Sequence, residues 1–208
     1  MADRTTARRF DEIYAFLLQR LSPHRVLHSL GTAHTAVRLA ALHGADPEAA
    51  LLAALLHDMA KEHDHAVLLA RIERHLSEMD PDDRDFPSIW HAIAGEILAY
   101  EEFNVLSPEI GAAIRTHPTG NAEMNQLEQI IFLSDYIEPT RGSYRHANEL
   151  RRLAREDLGT AVDAAILAKT EFLTKRGRRL HARSLSARRA AQSRSQGAAV
   201  PAEGKKED

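Results

Sequence analysis

An unbroken apolar run at residues 49–56, Ala-Ala-Leu-Leu-Ala-Ala-Leu-Leu, constrains the fold of this chain more than any other segment. A helix over 49–60 would be apolar on all of its faces, so it must lie in the middle of a domain. His57 and Asp58 follow the run directly. Burying an ionisable pair there costs roughly several kcal/mol unless hydrogen bonds or a cation compensate. The sequence therefore predicts either a satisfied buried pair or a metal site beyond the end of this helix.

Helical periodicity dominates the rest of the chain, and no stretch shows the alternation of a β-strand. The predicted fold class is an all-α helical bundle, with a polar loop at residues 80–87. The predicted helices cover residues 5–21, 23–42, 49–60, 65–79, 88–102, 107–117, 122–138, 146–156 and 160–175. Hydrophobic periodicity is lost after residue 183, which predicts one domain over 1–183 and a disordered tail over 184–208.

Composition removes several classes of protein and of site. The chain has no cysteine, which excludes disulfides, thiolate zinc sites, cysteine-ligated iron–sulfur clusters and cysteine nucleophiles. A net charge of -3 gives no reason to expect a nucleic-acid partner. No apolar run approaches the roughly 20 residues of a membrane span, and residues 1–9 lack the apolar core of a signal peptide. We therefore expect a cytoplasmic protein with no membrane partner.

Polar residues occur in several predicted helices where the local pattern favours core residues. His28 and His91 lie within apolar stretches, His117 ends a helix, and a shared metal centre would offset the burial of them all. A single such histidine is more often a hydrogen-bonded core residue. The candidate metal ligands are His28, His57, Asp58, His91, His117 and Asp135. These nitrogen and oxygen donors suit iron or manganese at least as well as zinc, and six ligands favour two ions over one.

The motif formed by His28, His57-Asp58 and Asp135 resembles that of the HD superfamily of metal-dependent phosphohydrolases. The likeness extends to the YqeK-type family of bacterial symmetrical diadenosine-tetraphosphatases, over about residues 10–185. Five segments carry it in order, namely 25–30, 53–61, 91–95, 113–120 and 134–141. The chain departs from that family at Pro118, where threonine is usual, and at His181-Ala182, where a histidine-proline pair is usual.

The resemblance implies an all-α HD-domain fold and cleavage of diadenosine tetraphosphate to two ADP by attack of a metal-bound hydroxide. It implies two metal ions, usually iron, although the same donors accept manganese, cobalt or nickel. One ion would be held by His28, His57, Asp58 and Asp135. The second would be held by His91 and His117, with Asp58 bridging the two ions. The expected partner is a dinucleoside polyphosphate, and a homodimer is a further hypothesis.

Asp58 and Lys61 are the candidate catalytic residues, because Lys61 lies one helical turn after the His-Asp pair. The candidate substrate-binding residues are Arg25, Lys61, Arg141 and Glu138. A surface salt bridge is an equally good interpretation of Arg25 and Arg141. Glu138 would alternatively orient a metal ligand or cap its helix.

Three other functions are compatible with the sequence. The nearest is an HD-type phosphohydrolase that acts on nucleoside monophosphates or another nucleotide. An iron oxygenase with the HD fold is more distant, and it would need oxygen and consume no phosphate ester. A regulatory module with an inactive site ranks last, because such a module would lack a ligand and all six candidates are present.

Overall fold

The computed structural model describes residues 4–141 and 146–197. Within these ranges the chain forms eleven α-helices and no β-strand, which confirms the predicted all-α class. Short 3₁₀ turns lie at Pro87–Ile89 and Pro139–Arg141. The helices are α1 (Arg4–Arg20), α2 (Pro23–His43), α3 (Pro47–Leu56), α4 (His65–His75), α5 (Pro81–Arg84), α6 (Trp90–Phe103), α7 (Pro108–Thr116), α8 (Gln126–Ile137), α9 (Ala147–Glu156), α10 (Leu158–Lys175) and α11 (Ala182–Gly197).

Helix α3 lies at the centre of the bundle, as its apolar composition predicts. It packs against α1, α2, α6, α7 and α8, and the side chains of Ala53 to Leu56 have no exposed surface. The helix begins at Pro47, where the Asp46 side chain accepts a hydrogen bond from the Glu48 amide. It ends at Leu56, four residues before the predicted end. His57 and Asp58 therefore lie in the turn beyond the last helical residue.

Two other boundaries differ from the predictions because side chains cap the helices. Helix α8 begins at Gln126 instead of residue 122, since Asn125 and Glu128 form a reciprocal capping box. The predicted loop at 80–87 contains the four-residue helix α5, which the Asp80 side chain caps. No helix in the described residues is long and apolar enough to cross a membrane.

Helix α11 corrects the predicted start of the tail, because residues 184–197 are helical and packed. Ala187 and Ala191, one turn apart, are fully buried, and α11 packs against α10. The Ser184 hydroxyl donates to the Thr119 carbonyl at 3.0 Å, which ties the start of α11 to the turn after α7. Small alanine side chains let helices approach closely without the large apolar residues that periodicity detects. Residues 198–208 of the predicted tail lie outside the described residues.

Candidate metal centre

The six candidate ligands come together where α3 and α7 end against α2, α6 and α8. All six are buried, with exposed fractions between 0% and 7%. They belong to five separate segments of the chain, so tertiary packing alone brings them into contact. Two overlapping groups could each hold a metal ion, His28-His57-Asp58 and Asp58-His91-His117.

The first group surrounds the Nε2 atom of His28. This nitrogen lies 3.2 Å from His57 Nε2 and 3.1 Å from Asp135 Oδ1. The Asp58 Oδ2 atom lies 3.9 Å from His28 Nε2 and 3.8 Å from His57 Nε2. Asp135, which the two overlapping groups leave out, therefore lies within the same cluster of donors.

The second group uses the other oxygen of Asp58. Asp58 Oδ1 lies 3.2 Å from His91 Nε2 and 3.4 Å from His117 Nε2, and these two nitrogens are 3.4 Å apart. The two carboxylate oxygens of Asp58 thus face different groups of histidines. This is the arrangement that a carboxylate bridging two ions requires.

Backbone carbonyls fix the tautomers of two histidines. His57 Nδ1 lies 2.6 Å from the Ala54 carbonyl, and His117 Nδ1 lies 2.7 Å from the Ile114 carbonyl. Each histidine directly follows its helix and contacts the carbonyl three residues earlier. Since a carbonyl only accepts, each Nδ1 carries the proton, and each Nε2 presents a lone pair to Asp58. Lone pairs that face a carboxylate in a buried site fit a cation between them.

The bonding of Asp58 supports the same conclusion. Its Oδ1 atom is buried and has no well-directed hydrogen bond from the described residues, although three nitrogens lie nearby. A buried carboxylate oxygen without a hydrogen bond is unfavourable. Burial opposes the ionisation of Asp58, but its surroundings, which include the ammonium group of Lys61 at 3.3 Å, hold the pKa of Asp58 well below its usual value. The carboxylate therefore stays charged, and a divalent cation fits this donor set.

Glu138 orients His28 from the side away from the cluster. Its side chain is fully buried and its Oε1 atom lies 3.0 Å from His28 Nδ1. The amide and hydroxyl of Thr140 donate to the same carboxylate at 2.6 and 2.5 Å. A carboxylate with no exposed surface cannot contact a phosphate. This corrects the grouping of Glu138 with the substrate-binding residues and supports the alternative that it orients a ligand.

Gly31 provides the space that the Glu138 carboxylate occupies. A Cβ atom on Gly31 would overlap Glu138 Oε2. Alanine for glycine within a helix usually stabilises by about 0.5–1 kcal/mol. We expect Gly31→Ala to displace Glu138 instead and to weaken metal binding about 10- to 100-fold, as loss of a group that orients a ligand does. Metal titration followed by calorimetry measures this effect.

Gly159→Ala in α10 is the matched control, because a Cβ atom there meets only Asp157 Oδ1 at an ordinary 3.5 Å. Its metal affinity should equal that of the parent protein. Equal metal affinity in the Gly31→Ala variant would show that Glu138 does not orient His28.

Comparison with known proteins decides the family. Residues 25–140, more than half of the chain, match the family described as HD domain. The chain belongs to the HD-domain family. The match contains all six candidate ligands.

Three relatives resemble this HD-domain chain over most of its length. The symmetrical bis(5'-nucleosyl)-tetraphosphatase of Bacillus subtilis is 35% identical over 171 residues, or 80% of this chain and 88% of the relative. The protein of that name from Halalkalibacterium halodurans is 35% identical over 170 residues, with the same coverage. A crystal structure titled as a predicted HD superfamily hydrolase involved in NAD metabolism, from Clostridium acetobutylicum, superimposes with a TM-score of 0.84 at 34% identity. It covers 89% of this chain and 97% of that one.

Membership in the HD-domain family explains why histidine and aspartate side chains are buried together. The family comprises metal-dependent hydrolases, and the histidine and aspartate side chains described above support the use of a divalent metal.

Three cationic residues of the HD domain were predicted to bind substrate, namely Arg25, Lys61 and Arg141. In the structure each of them contacts a buried carboxylate. Arg25 Nη1 donates to Asp58 Oδ2 at 3.2 Å, and Arg141 Nη2 donates to Asp135 Oδ1 at 2.5 Å. Lys61 Nζ lies 3.3 Å from Asp58 Oδ1 and 2.8 Å from His91 Nε2. The two arginines are themselves partly exposed, with 33% of the Arg25 side chain and 44% of the Arg141 side chain accessible, so each ion pair joins the surface to a buried residue of the cluster.

The buried histidines of the HD domain differ in the direction of their pKa shifts, although burial itself lowers the pKa of each. It lowers the pKa of His117 from 6.5 to about 3 and also lowers the pKa values of His57 and His91. For His28 burial acts in the same direction, but contacts with Asp135 and Glu138 outweigh it and raise the pKa. The raised pKa favours the protonated form of His28 beside its carboxylate neighbours.

These shifts predict that the metal-free HD domain loses stability as the pH falls below about 6.5. The unfolded chain then binds protons at its histidines, whereas folded His117 stays neutral down to about pH 3. His117 alone should lower the free energy of unfolding by about 2 kcal/mol between pH 6.5 and pH 5. His57 and His91 act in the same direction, while His28 acts in the opposite one. Urea unfolding of chelator-treated protein at several pH values tests this.

His117→Gln is the control for that experiment, since glutamine does not titrate and the variant should show a shallower pH dependence. An identical slope in the parent and in the variant would contradict the assigned neutral state of His117.

Sequence reasoning missed Gly31 and Thr140, which position Glu138, and Lys169, on which charged groups of the site act electrostatically. Gly31 gives no chemical signal in a sequence, and Thr140 is an ordinary polar residue after a helix. Lys169 does carry a signal, because it interrupts the apolar face of α10 one turn after the buried residues Ala165 and Ile166.

Proposed function

We propose that this chain hydrolyses diadenosine tetraphosphate symmetrically to two ADP at a centre of two divalent ions. The observation that carries the proposal is Asp58, whose two oxygens face two separate groups of histidines. Two relatives that share 35% of their residues with this chain bear the name of that activity. The reaction joins one water to the dinucleotide and breaks the bond between its two central phosphates.

The donors divide into two sets around Asp58. The first ion would be held by His28, His57, Asp58 and Asp135, and the second by Asp58, His91 and His117. The bound ions would lower the pKa of a water and offset the charge that develops on phosphate oxygens. Among the metals that accept this set of nitrogen and oxygen donors, we propose iron, with manganese, cobalt or nickel as substitutes.

The chain's own residues would bind and orient the polyphosphate. Arg25, Lys61 and Arg141 lie against carboxylates that divalent ions would neutralise, which leaves these cationic groups free to contact phosphate oxygens. The guanidinium of Arg141 offers several donors in one plane, a geometry that suits phosphate. Lys61 lies between Asp58 and His91 and would contact the phosphate that is attacked. Such positioned cations stabilise the charge of a phosphoryl-transfer transition state.

The proposal is tested by incubating iron- or manganese-loaded protein with diadenosine tetraphosphate and separating the products by chromatography. ADP as the sole product is the expected result. ATP with AMP would show that a different phosphorus is attacked. Nucleoside monophosphates and NAD belong in the same panel, because turnover of these compounds alone would favour another nucleotide hydrolase. A homodimer and a cytoplasmic location stay predictions.

A further inference from the structure

Lys169 on α10 places its ammonium group over the ring of Phe132, a residue of the helix that also carries the candidate ligand Asp135. Its Nζ atom lies 4.8 Å from the centre of the Phe132 ring. Phe132 is almost completely buried on α8 and precedes Asp135 by three residues, so both lie on the same side of that helix. A Cβ atom on Gly120, three residues after His117, would also contact the Phe132 ring, at 3.4 Å. Lys169 and the turn that carries His117 therefore both lie against the Phe132 ring.

The ammonium of Lys169 lacks an anionic partner within residues 4–141 and 146–197. It forms no hydrogen bond or ion pair there, whereas Arg25, Lys61 and Arg141 each contact a carboxylate. Lysine is seldom buried without such a pairing. The largest electrostatic influences on it come from four residues of the site, namely Asp135, Arg141, Lys61 and Asp58.

The protonation state and exposure of Lys169 suit anion binding. Burial lowers the pKa of Lys169 to about 8, so about nine-tenths of the molecules carry the charge at pH 7. Lys169 nevertheless keeps some exposed surface. An ammonium group donates hydrogen bonds and accepts none, so it cannot serve as a metal ligand.

Two carboxylates, those of Asp135 and Asp58, act electrostatically on Lys169, and both already have other partners. Asp135 accepts from Arg141, and Asp58 contacts Arg25 and Lys61. Residues 4–141 and 146–197 therefore provide no ion-pair partner for Lys169. We propose that Lys169 binds a phosphate of the dinucleoside polyphosphate and is a fourth cationic residue of the substrate site. This inference rests on the proposed function.

The test compares Lys169→Met with Lys175→Met, which removes an exposed lysine from the end of the same helix. Methionine keeps the flexible stem over Phe132 and removes only the charge. We expect Lys169→Met to raise KM for diadenosine tetraphosphate and the Kd for ADP about 10- to 100-fold, the range of a charged hydrogen bond. Metal content should not change, Lys175→Met should match the parent, and Lys169→Arg should recover most of the affinity.

ADP binding, measured by calorimetry on the metal-loaded protein, separates this inference from the proposed function. A parent protein that binds ADP without hydrolysing the dinucleotide would overturn the function, while weaker ADP binding by Lys169→Met would still support the phosphate contact. Unchanged KM and Kd in Lys169→Met would overturn the inference. Loss of metal or of folding in that variant, with full ADP affinity in Lys169→Gln, would also overturn it and assign Lys169 a structural role.

Discussion

We expect Asp58→Asn to lower kcat/KM for diadenosine tetraphosphate by about 10³-fold or more, with loss of at least one bound ion. Asparagine has nearly the same shape as aspartate but carries no charge. Both oxygens of Asp58 face histidine nitrogens, and Arg25 and Lys61 also lie against them. Losing that one charge therefore affects both groups of donors. We expect a loss of rate at the upper end of the range seen when a charge-stabilising group is removed.

Asp163→Asn is a suitable control for this variant. Asp163 is also a buried aspartate in an ion pair, with Arg194 at 2.7 Å, but it lies on α10 outside the cluster. Steady-state kinetics and elemental analysis should show parent-like activity and metal content in the control. If Asp58→Asn retained both ions and more than a tenth of the activity, the bridging role of Asp58 would be wrong.

Removing the divalent ions should abolish hydrolysis and lower the melting temperature by about 10 °C for each ion removed. An ion present at a thousand times its dissociation constant stabilises the folded state by about 4 kcal/mol. For a chain of this length each kcal/mol corresponds to about 2–4 °C. The physical reason lies in the cluster, where chelation would leave lone pairs of His57 and His117 facing the charged carboxylate of Asp58.

Differential scanning calorimetry before and after chelation measures this shift, and re-addition of iron or manganese should restore both the melting temperature and the activity. The Asp58→Asn variant supplies the internal comparison, since chelation should shift its melting temperature much less. An unchanged melting temperature in the parent protein would contradict a role for metal in the stability of the fold.

The residues of the site could be predicted wherever a polar side chain interrupts or directly follows an apolar stretch. Asp58 follows an apolar helix, and His28 and His91 interrupt apolar stretches, so each gives a signal within its own segment. The structure brings these residues together through the packing of α3 on its neighbours. The end of α3 at Leu56 was less accessible to prediction, because the last turn depends on the tertiary contacts of His57.

Features that depend on contacts between distant segments were not predictable from local pattern. The bond from His28 to Glu138 spans 110 residues, and the space for that carboxylate is the missing side chain of Gly31. Helix α11 is stabilised by small alanines and by the contact of Ser184 with Thr119, neither of which raises hydrophobic periodicity.

Anomalous X-ray diffraction from the iron-loaded protein, recorded at the iron absorption edge, tests the central claim most directly. The account predicts two peaks per chain, one among His28, His57 and Asp135 and the other between His91 and His117, with Asp58 in contact with both. A single peak, or peaks away from Asp58, would contradict the two-ion centre on which the proposed hydrolysis depends.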